Sequence, residues 1–226
     1  MANYGHSEHY EVMRKKMLYT AARLFLEKGY TMTSLKELSA AAGTNTGVLT
    51  RTFGSKENIL AILVKYVLEG QFSTTKELLK DKTDDKILFY AAETALQLHI
   101  VESNEHIREL YAVAYSLPNT TKIIQEMITG KLEKIFKEHL PNLETQDFYM
   151  LEIASGGIMR GFMTIPCDMW FTMDKKIKAF LETTFKVYDV PEEKIKETIE
   201  FVKQFDFTQI AKETINSMLE MIEEKL

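Results

Sequence analysis

Residues 33–56 read TSLKELSAAAGTNTGVLTRTFGSK, and this stretch decides the fold. Ser34, followed three residues later by Glu37, forms a capping-box pair, which predicts that a helix begins at Ser34 or one residue earlier. Gly43 follows the last apolar position of that helix and is suited to end it, because glycine adopts a left-handed backbone without steric cost. Asn45 is a favoured N-cap for a second short helix. The stretch therefore predicts a helix-turn-helix.

The second short helix has one apolar face and one polar face. Val48, Leu49 and Phe53 fall on the inward face, with Leu49 and Phe53 one turn apart. The outward positions are Thr46, Gly47, Thr50 and Arg51. A short helix that exposes small polar residues and one arginine is typical of a recognition helix in a DNA major groove. We expect its N-terminal end to do most of the base reading.

A longer series of positions surrounds this motif. It consists of Gly29-Tyr30, a Thr/Ser cap, Leu35 and Leu38, Ala42-Gly43, Gly47, Leu49, Phe53, Ser55-Lys56-Glu57 and Ile59-Leu60. The series resembles the DNA-binding signature of TetR-family transcriptional regulators over residues 12–60. The sequence departs from that signature at three positions: Thr50 replaces a phosphate-contacting Tyr, Thr52 an aromatic residue or His, and Ser39 an Ala.

The resemblance implies a set of DNA contacts and a homodimer on a near-palindromic double-stranded operator. The residues expected at the DNA are Thr33, Ser34, Thr44, Asn45, Thr46, Gly47, Thr50, Arg51 and Lys56. Thr46, Thr50 and Arg51 would touch bases or nearby backbone, and Gly47 would permit close approach. Phosphates would be held by Thr33, Ser34, Thr44 and Lys56. A phosphate would also explain why a lysine stands in the first turn of a helix, where its charge opposes the helix dipole.

Composition indicates an all-α protein. The 226 residues are 45% hydrophobic and include only 4 Pro and 10 Gly, and the chain has no alternating β-branched runs. No apolar run approaches the roughly eighteen residues that a membrane span needs, and the N-terminus has no apolar signal core. We therefore expect no membrane association and a cytoplasmic location. A lone cysteine, Cys167, agrees with a reducing compartment.

The charge is distributed unevenly along the chain. The formal net charge is -5, which by itself would argue against a nucleic-acid partner. Residues 1–60, however, contain eight basic and five acidic residues, a net charge of +3, whereas the remainder carries -8. A basic head on an acidic body suits a protein that places one end on phosphates.

The pattern beyond the head predicts a helical body. We expect a DNA-binding domain over residues 1–54 and an effector-binding and dimerisation domain over residues 55–226. Ser55 should cap a long helix that enters the body and links it mechanically to the head. Further helices are expected over about residues 84–102, 104–116, 119–140, 144–165, 174–188 and 191–205, with a terminal helix from about residue 208.

Motifs of enzymes are absent. The sequence has no Glu-x-x-His, no His-Glu-x-x-His and no GxSxG, and Gly130-Lys131 lacks the upstream glycine of a Walker A loop. We expect no enzyme activity, no cofactor and no metal site.

Methionine and aromatic residues are concentrated in the body, most densely over residues 148–173. Each residue taken alone is best explained by core packing. Their density, with the family resemblance, predicts an adaptable pocket for an apolar or aromatic small-molecule effector, in which Glu152 or Glu93 could accept a cation. The expected lining is Tyr66, His99, Tyr111, Tyr115, Phe148, Glu152, Met159, Phe162, Met163 and Trp170.

Glycines recur within one predicted helix, at Gly156, Gly157 and Gly161. Each weakens a helix by roughly 1 kcal/mol relative to alanine, so close helix contact should compensate. The resemblance implies a dimer interface made by this helix and the terminal one, whereas an intrachain crossing is the alternative. The expected interface residues are Gly157, Arg160, Gly161, Ile215, Met218, Leu219 and Ile222.

These features predict a homodimeric, ligand-controlled transcriptional repressor. The alternative is a helical small-molecule sensor or interaction module that keeps the three-helix head without binding an operator. Salt-dependent binding to a defined DNA site would separate the two.

Overall fold

A computed structural model describes the backbone of residues 3–225 and the side chains of residues 10–220. All regular secondary structure in that part is α-helical, which confirms the all-α prediction. The helices are α1 (Asn3–Lys28), α2 (Leu35–Ala41), α3 (Thr46–Phe53), α4 (Lys56–Leu79), α5 (Lys86–Glu102), α6 (Glu105–Ala114), α7 (Pro118–Phe136), α8 (Thr145–Thr164), α9 (Met173–Val187), α10 (Glu192–Val202) and α11 (Phe207–Lys225).

Local capping determines where the first helices begin. The side chains of Ser34, Asn45 and Ser55 accept hydrogen bonds from backbone N–H groups three residues later, at 3.0–3.1 Å. The reciprocal half of the predicted capping box is replaced by another contact, because the carboxylate of Glu37 pairs with the ammonium of Lys28. The helix ends lie within a few residues of the predicted ones because these signals are local.

The head core is formed where α1, α2 and α3 pack together. Its fully buried side chains include Leu18, Phe25, Leu38 and Leu49. This apolar cluster continues into the first half of α4 through Ile59, Leu60 and Leu63. The head is therefore built on α4, and the domain boundary after residue 54 stays a prediction.

The body is arranged around α5, which is buried along most of its length. Helices α4, α6, α7, α8, α9, α10 and α11 pack against it. An aromatic group fills the centre, with Phe136 and Tyr188 stacked at a ring-centroid distance of 4.1 Å and Tyr90 edge-on to both. These large buried rings give the body its own hydrophobic core.

The terminal helix, which was expected at the dimer interface, packs against other helices of its own chain. Helix α11 lies against α1, α4 and α5. Met218 is buried and meets α4 at Gly70, while Ile215 and Leu219 are partly buried against the core. Their apolar surface is already used within the chain. Ile222, the fourth α11 residue expected at the interface, lies outside the residues whose side chains are described.

Among the described helices, none is both long enough and apolar enough to cross a membrane.

Candidate functional site

The exposed face of α3 carries the residues expected to read bases. Thr46, Gly47, Thr50 and Arg51 are all exposed, whereas Leu49 and Phe53 are buried in the head core. Asn45 lies at the start of this face and fixes it, since its side-chain oxygen accepts from the Val48 N–H at 3.0 Å. The helix therefore presents a polar surface in a fixed orientation.

The turn between α2 and α3 holds the two helices at a defined angle. Gly43 has a φ of +73°, and the following Thr44 N–H donates to the Ser39 carbonyl at 2.9 Å. Ser39 and Thr46 also share a hydrogen bond between their hydroxyls, at 3.2 Å. Ser39, which stands where the TetR-family signature has alanine, thus forms a hydrogen bond that holds the first residue of α3 in place.

Thr33 and Ser34 occupy different environments although both were expected at phosphates. Ser34 is exposed at the N-terminus of α2. Thr33 is fully buried, and its hydroxyl donates to the Gly29 carbonyl at 2.8 Å. Its buried hydroxyl cannot reach a phosphate in this conformation, which argues against the role that the family resemblance implied for Thr33.

Lys56 joins α4 to the loop between α1 and α2. Its ammonium donates to the carbonyls of Tyr30 and Thr33, both at 2.9 Å, and lies 4.1 Å from the centroid of the Tyr30 ring. Burial lowers the pKa of Lys56, and the nearby Glu109 opposes that shift. Two carbonyls therefore explain a lysine in the first turn of a helix, and at most one N–H is left for a phosphate.

Two sets of hydrogen bonds connect the head to the body, and neither was evident from the sequence. The Thr31 N–H donates to the Glu109 carboxylate on α6 at 2.9 Å. On the other side, the Asn119 N–H at the start of α7 donates to Glu57 at 2.9 Å, and its side-chain amide donates to Asn58 at 3.2 Å. The body thus contacts the head through α6 and α7 as well as through α4.

A buried polar cluster lies inside the body where α4, α5, α6 and α8 meet. Its hydrogen bonds run from the Gln71 amide to the Tyr111 hydroxyl at 2.8 Å and from the Gln97 amide to the Tyr115 hydroxyl at 3.1 Å. The cluster consists of Gln71, Thr75, Glu93, Gln97, Tyr111, Tyr115, Glu152, Ser155 and Tyr188. Tyr188, from α9's C-terminal end, donates to Ser155 at 2.7 Å. We call this set the polar cluster.

Two glutamates in the polar cluster are almost completely buried. Burial raises the pKa of Glu93 to about 8, and Lys131 partly offsets the shift. Burial also raises the pKa of Glu152 to about 8, where a hydrogen bond from Ser155 opposes the shift and the charge of Glu93 adds to it. Both carboxyls are therefore mainly protonated at neutral pH.

Two small apolar cavities adjoin the polar cluster. Their volumes are about 60 Å³ and about 40 Å³. Both are lined by Leu63, Val67, Leu110 and Tyr111, and Tyr115 lines the smaller one. The two tyrosine rings thus separate apolar space from buried polar groups.

The residues expected to line an effector pocket do not all meet. Tyr111, Tyr115 and Glu152 come together in the polar cluster, and Phe148, Met159 and Met163 are buried in the body core beside it. Phe162 packs on Phe171 and Phe180, while Tyr66 is half-buried on α4 against the head core.

Two of the expected pocket residues lie away from the polar cluster. Trp170 is 74% exposed in the loop between α8 and α9. His99 stacks on Phe207 and lines a separate cleft with Asp174 and Asp206. The sequence did not indicate that Gln71, Thr75 and Gln97 are buried, because an isolated polar residue in a helix gives no sign of burial.

The glycines of α8 expected at a dimer interface lie on an open face. Gly157 and Gly161 are exposed, and a Cβ built on either would meet nothing within 4 Å. Arg160 is exposed next to them and donates to Ser116 at 3.0 Å. Further exposed apolar residues continue this surface along α8 and the following loop: Tyr149, Met150, Ile153, Ile165, Met169 and Trp170. We call this surface the α8 face.

The head also matches a family model. Residues 18–62 match the model of the bacterial regulatory proteins of the tetR family. The head is therefore similar to that of the bacterial regulatory proteins of the tetR family. The match begins in the second half of α1 and ends near the start of α4, so it covers the helix-turn-helix and parts of the two helices that support it. No curated protein matches the sequence significantly.

Solved structures resemble most of the chain. The crystal structure of RolR in complex with resorcinol aligns with a TM-score of 0.66 at 14% identity, covering 87% of this chain and 95% of that one. The structure of SmeT, the repressor of the Stenotrophomonas maltophilia multidrug efflux pump SmeDEF, aligns with a TM-score of 0.53 at 19% identity, covering 76% and 88%. At this level of identity the likeness extends the shared fold from the head to the body.

Proposed function

We propose that this protein is a homodimeric transcriptional repressor of the TetR family that leaves a two-fold symmetric operator when a small molecule with an apolar or aromatic part binds in the body. The observation that carries the proposal is the joint presence of an exposed, fixed recognition face on α3 and a buried polar cluster on α4 and α5. Helix α4 connects them, since its first half packs in the head core and its second half carries Gln71 and Thr75 of the polar cluster.

The DNA contacts are assigned to the exposed residues of the head. Thr46, Thr50 and Arg51 read bases or nearby backbone, and Gly47 lets the helix approach closely. Ser34, Thr44 and Asn45 lie at the N-terminal ends of α2 and α3, where backbone N–H groups favour a phosphate. The net charge of +3 over residues 1–60 supports this end as the DNA side.

The dimer is assigned to the α8 face. An isologous contact brings the same helix from each protomer together, and glycines allow two helices to approach closely. The exposed Gly157, Gly161, Met150 and Ile153 share this face. Two heads related by the two-fold axis then meet two operator half-sites.

The effector is assigned to the polar cluster and the adjoining cavities. Aromatic and aliphatic walls with a few convergent polar groups are the usual composition of a small-molecule site. RolR, a protein of the same fold, binds the aromatic ligand resorcinol. The two cavities are small, so the effector must displace Tyr111 or Tyr115 to fit.

Release follows from the contacts that join the two regions. An effector that moves Gln71 and Thr75 displaces α4, whose first turn carries Lys56 and Glu57. The contacts from Glu109 to Thr31 and from Asn119 to Glu57 transmit movements of α6 and α7 to the same head. Operator DNA must then weaken effector binding by the same factor by which the effector weakens operator binding.

The test is a footprint of the purified protein on DNA flanking its own gene, with a salt titration and a scrambled fragment as the control. We expect a protected, two-fold symmetric site whose binding constant falls steeply with salt. A folded dimer that protects no site on any fragment would favour a helical sensor or interaction module without an operator.

A further inference from the structure

The polar cluster points to a specific class of effector. We propose that the effector is a lipophilic amine whose ammonium group lies between the carboxyl groups of Glu93 and Glu152, with its apolar part against Leu63, Val67 and Leu110. The inference rests on the proposed function only in assuming that the body holds an effector.

Some polar atoms are buried in the cluster without a hydrogen-bond partner in the described part of the chain. Gln71 Oε1, Glu93 Oε1 and Thr75 Oγ1 are each buried and have no hydrogen-bond partner among the residues that the structure describes. A buried acceptor left unpaired is costly, and native structures contain few of them. All three belong to α4 and α5, which pack against each other, and a donor-rich group bound beside Glu93 can pair with its free oxygen. An ammonium group brings up to three N–H donors and no acceptor.

The charges around the cluster favour a cation. Glu93 and Glu152 lie close enough for the charge of one to raise the pKa of the other. The remaining titratable groups that act on them are Lys131, Tyr90, Tyr111, Tyr115 and Tyr188. Burial raises the pKa of all four tyrosines, which therefore remain neutral at physiological pH.

Lys131 does not form an ion pair with either glutamate of the polar cluster. Its ammonium lies over the Phe72 ring, 4.1 Å from the centroid, and across the described part of the chain neither glutamate forms a salt bridge with it within 4.0 Å. A bound cation would allow one of these two protonated carboxyl groups to ionise, because it supplies the partner charge that a buried carboxylate needs.

The position of the tyrosines connects the cation site to apolar space. The Tyr111 ring lines both cavities, and its hydroxyl holds Gln71 of the cluster. A Cβ placed at Gly156 would lie 3.0 Å from Glu152 Oε1 and 4.0 Å from the Tyr115 ring, so these two groups face the same point. An amine can thus meet the carboxyls while its apolar part extends past the tyrosine rings, which also attract cations.

Binding should release a proton. The carboxyl groups are mainly protonated below about pH 8 in the free protein, whereas an ammonium ion is stabilised by a carboxylate. Each amine bound therefore displaces about one proton. Below pH 8 we expect the amine affinity to fall up to about tenfold for each unit by which the pH is lowered.

The experiment is isothermal titration calorimetry of the full-length protein, without DNA, against ω-phenylalkylamines with two to six methylene groups and the matching ω-phenylalkanols. Titrations at pH 7 in two buffers of different ionisation enthalpy count the released protons. We expect at least one amine to bind at least tenfold more tightly than its alcohol and to release about one proton.

Substitutions of the two glutamates test whether these side chains cause the preference for amines. Glu93→Gln and Glu152→Gln keep the side-chain size and remove the charge, so each should bring the amine close to the affinity of its alcohol. Glu69→Gln, at an exposed glutamate of α4, is the matched control and should keep the preference. Circular dichroism verifies that each variant is folded.

The inference is overturned if no amine binds, if amine and alcohol bind equally, or if the preference survives both glutamate variants. These outcomes are separate from the footprint, which needs no effector. An operator footprint with no amine preference leaves the repressor intact and removes the amine. An amine preference without any footprint supports the amine inference and contradicts the proposed repressor.

Discussion

The Glu109 carboxylate on α6 accepts a hydrogen bond from the backbone N–H of Thr31 at 2.9 Å, across 78 positions of sequence. The same carboxylate covers the end of α1, because a Cβ at Gly29 would lie 2.0 Å from its second oxygen. Gly29 also has a φ of +83°, a backbone conformation that favours glycine, and a side chain there would displace the Glu109 carboxylate. Glu109 therefore holds the body helix α6 directly on the head.

Removing this contact should loosen the connection between head and body. We expect Glu109→Ala to increase the hydrogen-exchange rate of the Thr31 amide and to reduce the factor by which an effector weakens operator binding. Glu109→Gln keeps an acceptor oxygen and should preserve much of both. Hydrogen exchange by NMR, with operator titrations, makes the comparison. Identical exchange in the alanine variant and the wild type would contradict a role for Glu109 in coupling.

The buried hydroxyl of Thr33 should contribute to folding stability and not to contacts with DNA phosphates. Thr33→Val removes the hydrogen bond to the Gly29 carbonyl and should lower the free energy of unfolding by about 1–3 kcal/mol. The number of ions released on DNA binding should not change. Urea denaturation and the salt dependence of operator binding measure the two effects. A shallower salt dependence with unchanged stability would instead support a contact between Thr33 and a DNA phosphate.

The helices could be predicted because their signals are local. Ser34, Asn45 and Ser55 each cap a helix with an N–H three residues away, and such pairs are visible in the sequence. The positions of Lys56 and α11 could not be predicted, since they depend on distant partners. The carbonyls bound by Lys56 are 23 and 26 positions away. The apolar face of α11 would serve a dimer or its own chain equally well.

The polar cluster was only partly predictable for the same reason. Tyr111, Tyr115 and Glu152 were expected from the composition of the body, but that expectation also included Trp170 and His99, which lie elsewhere. Hydrophobic periodicity predicts which apolar residues turn inward, whereas it says nothing about an isolated Gln71 or Gln97. Only the packing of α4 on α5 buries these amides.

Arg51 should contribute to base reading more than to overall charge. If its guanidinium contacts a guanine, Arg51→Ala should cost about 1–3 kcal/mol at the operator and much less on random DNA. Arg51→Lys is the matched control, since it keeps the charge and loses the two-pronged hydrogen bonding. Operator and random-sequence titrations at several salt concentrations provide the comparison. Equal losses on both DNAs in the alanine variant would assign Arg51 to the phosphate backbone.

The stability of the free protein should fall as the pH rises from 6.5 to 8. Glu93 and Glu152 keep their protons up to about pH 8 when folded, but lose them near the ordinary pKa of 4.5 when unfolded. Unfolding in this window therefore releases protons, and raising the pH favours it, by up to about 1.4 kcal/mol per pH unit for each carboxyl. His99 has a lowered pKa and contributes mainly below pH 6.5.

Urea denaturation at half-unit pH steps tests this dependence. Glu93→Gln and Glu152→Gln should each flatten the decline, because a glutamine side chain has no proton to lose. The exposed Glu69→Gln should leave the slope of the wild type. A wild-type stability that stays constant or rises over this pH window would show that the two carboxyls are not held in their protonated form.

A charged residue introduced on the α8 face should weaken the proposed dimer contact without affecting the fold of the single chain. In one protomer, a Cβ at Gly157 meets nothing within 4 Å, and the same holds for Gly130 on α7. Glutamate at either position therefore fits the isolated chain, and both substitutions replace a flexible exposed helical glycine. Gly157→Glu should nevertheless convert the dimer to a monomer, because it puts like charges on both sides of a two-fold contact. Gly130→Glu should leave a dimer of unchanged affinity.

Sedimentation equilibrium over a range of protein concentrations separates the two variants. The Gly157→Glu protein should also lose much of its operator affinity, since a single head binds one half-site, while its circular dichroism spectrum stays that of the wild type. If Gly157→Glu remains as dimeric as Gly130→Glu, the two-fold contact lies on another surface, and the exposed apolar residues of α8 need a different partner.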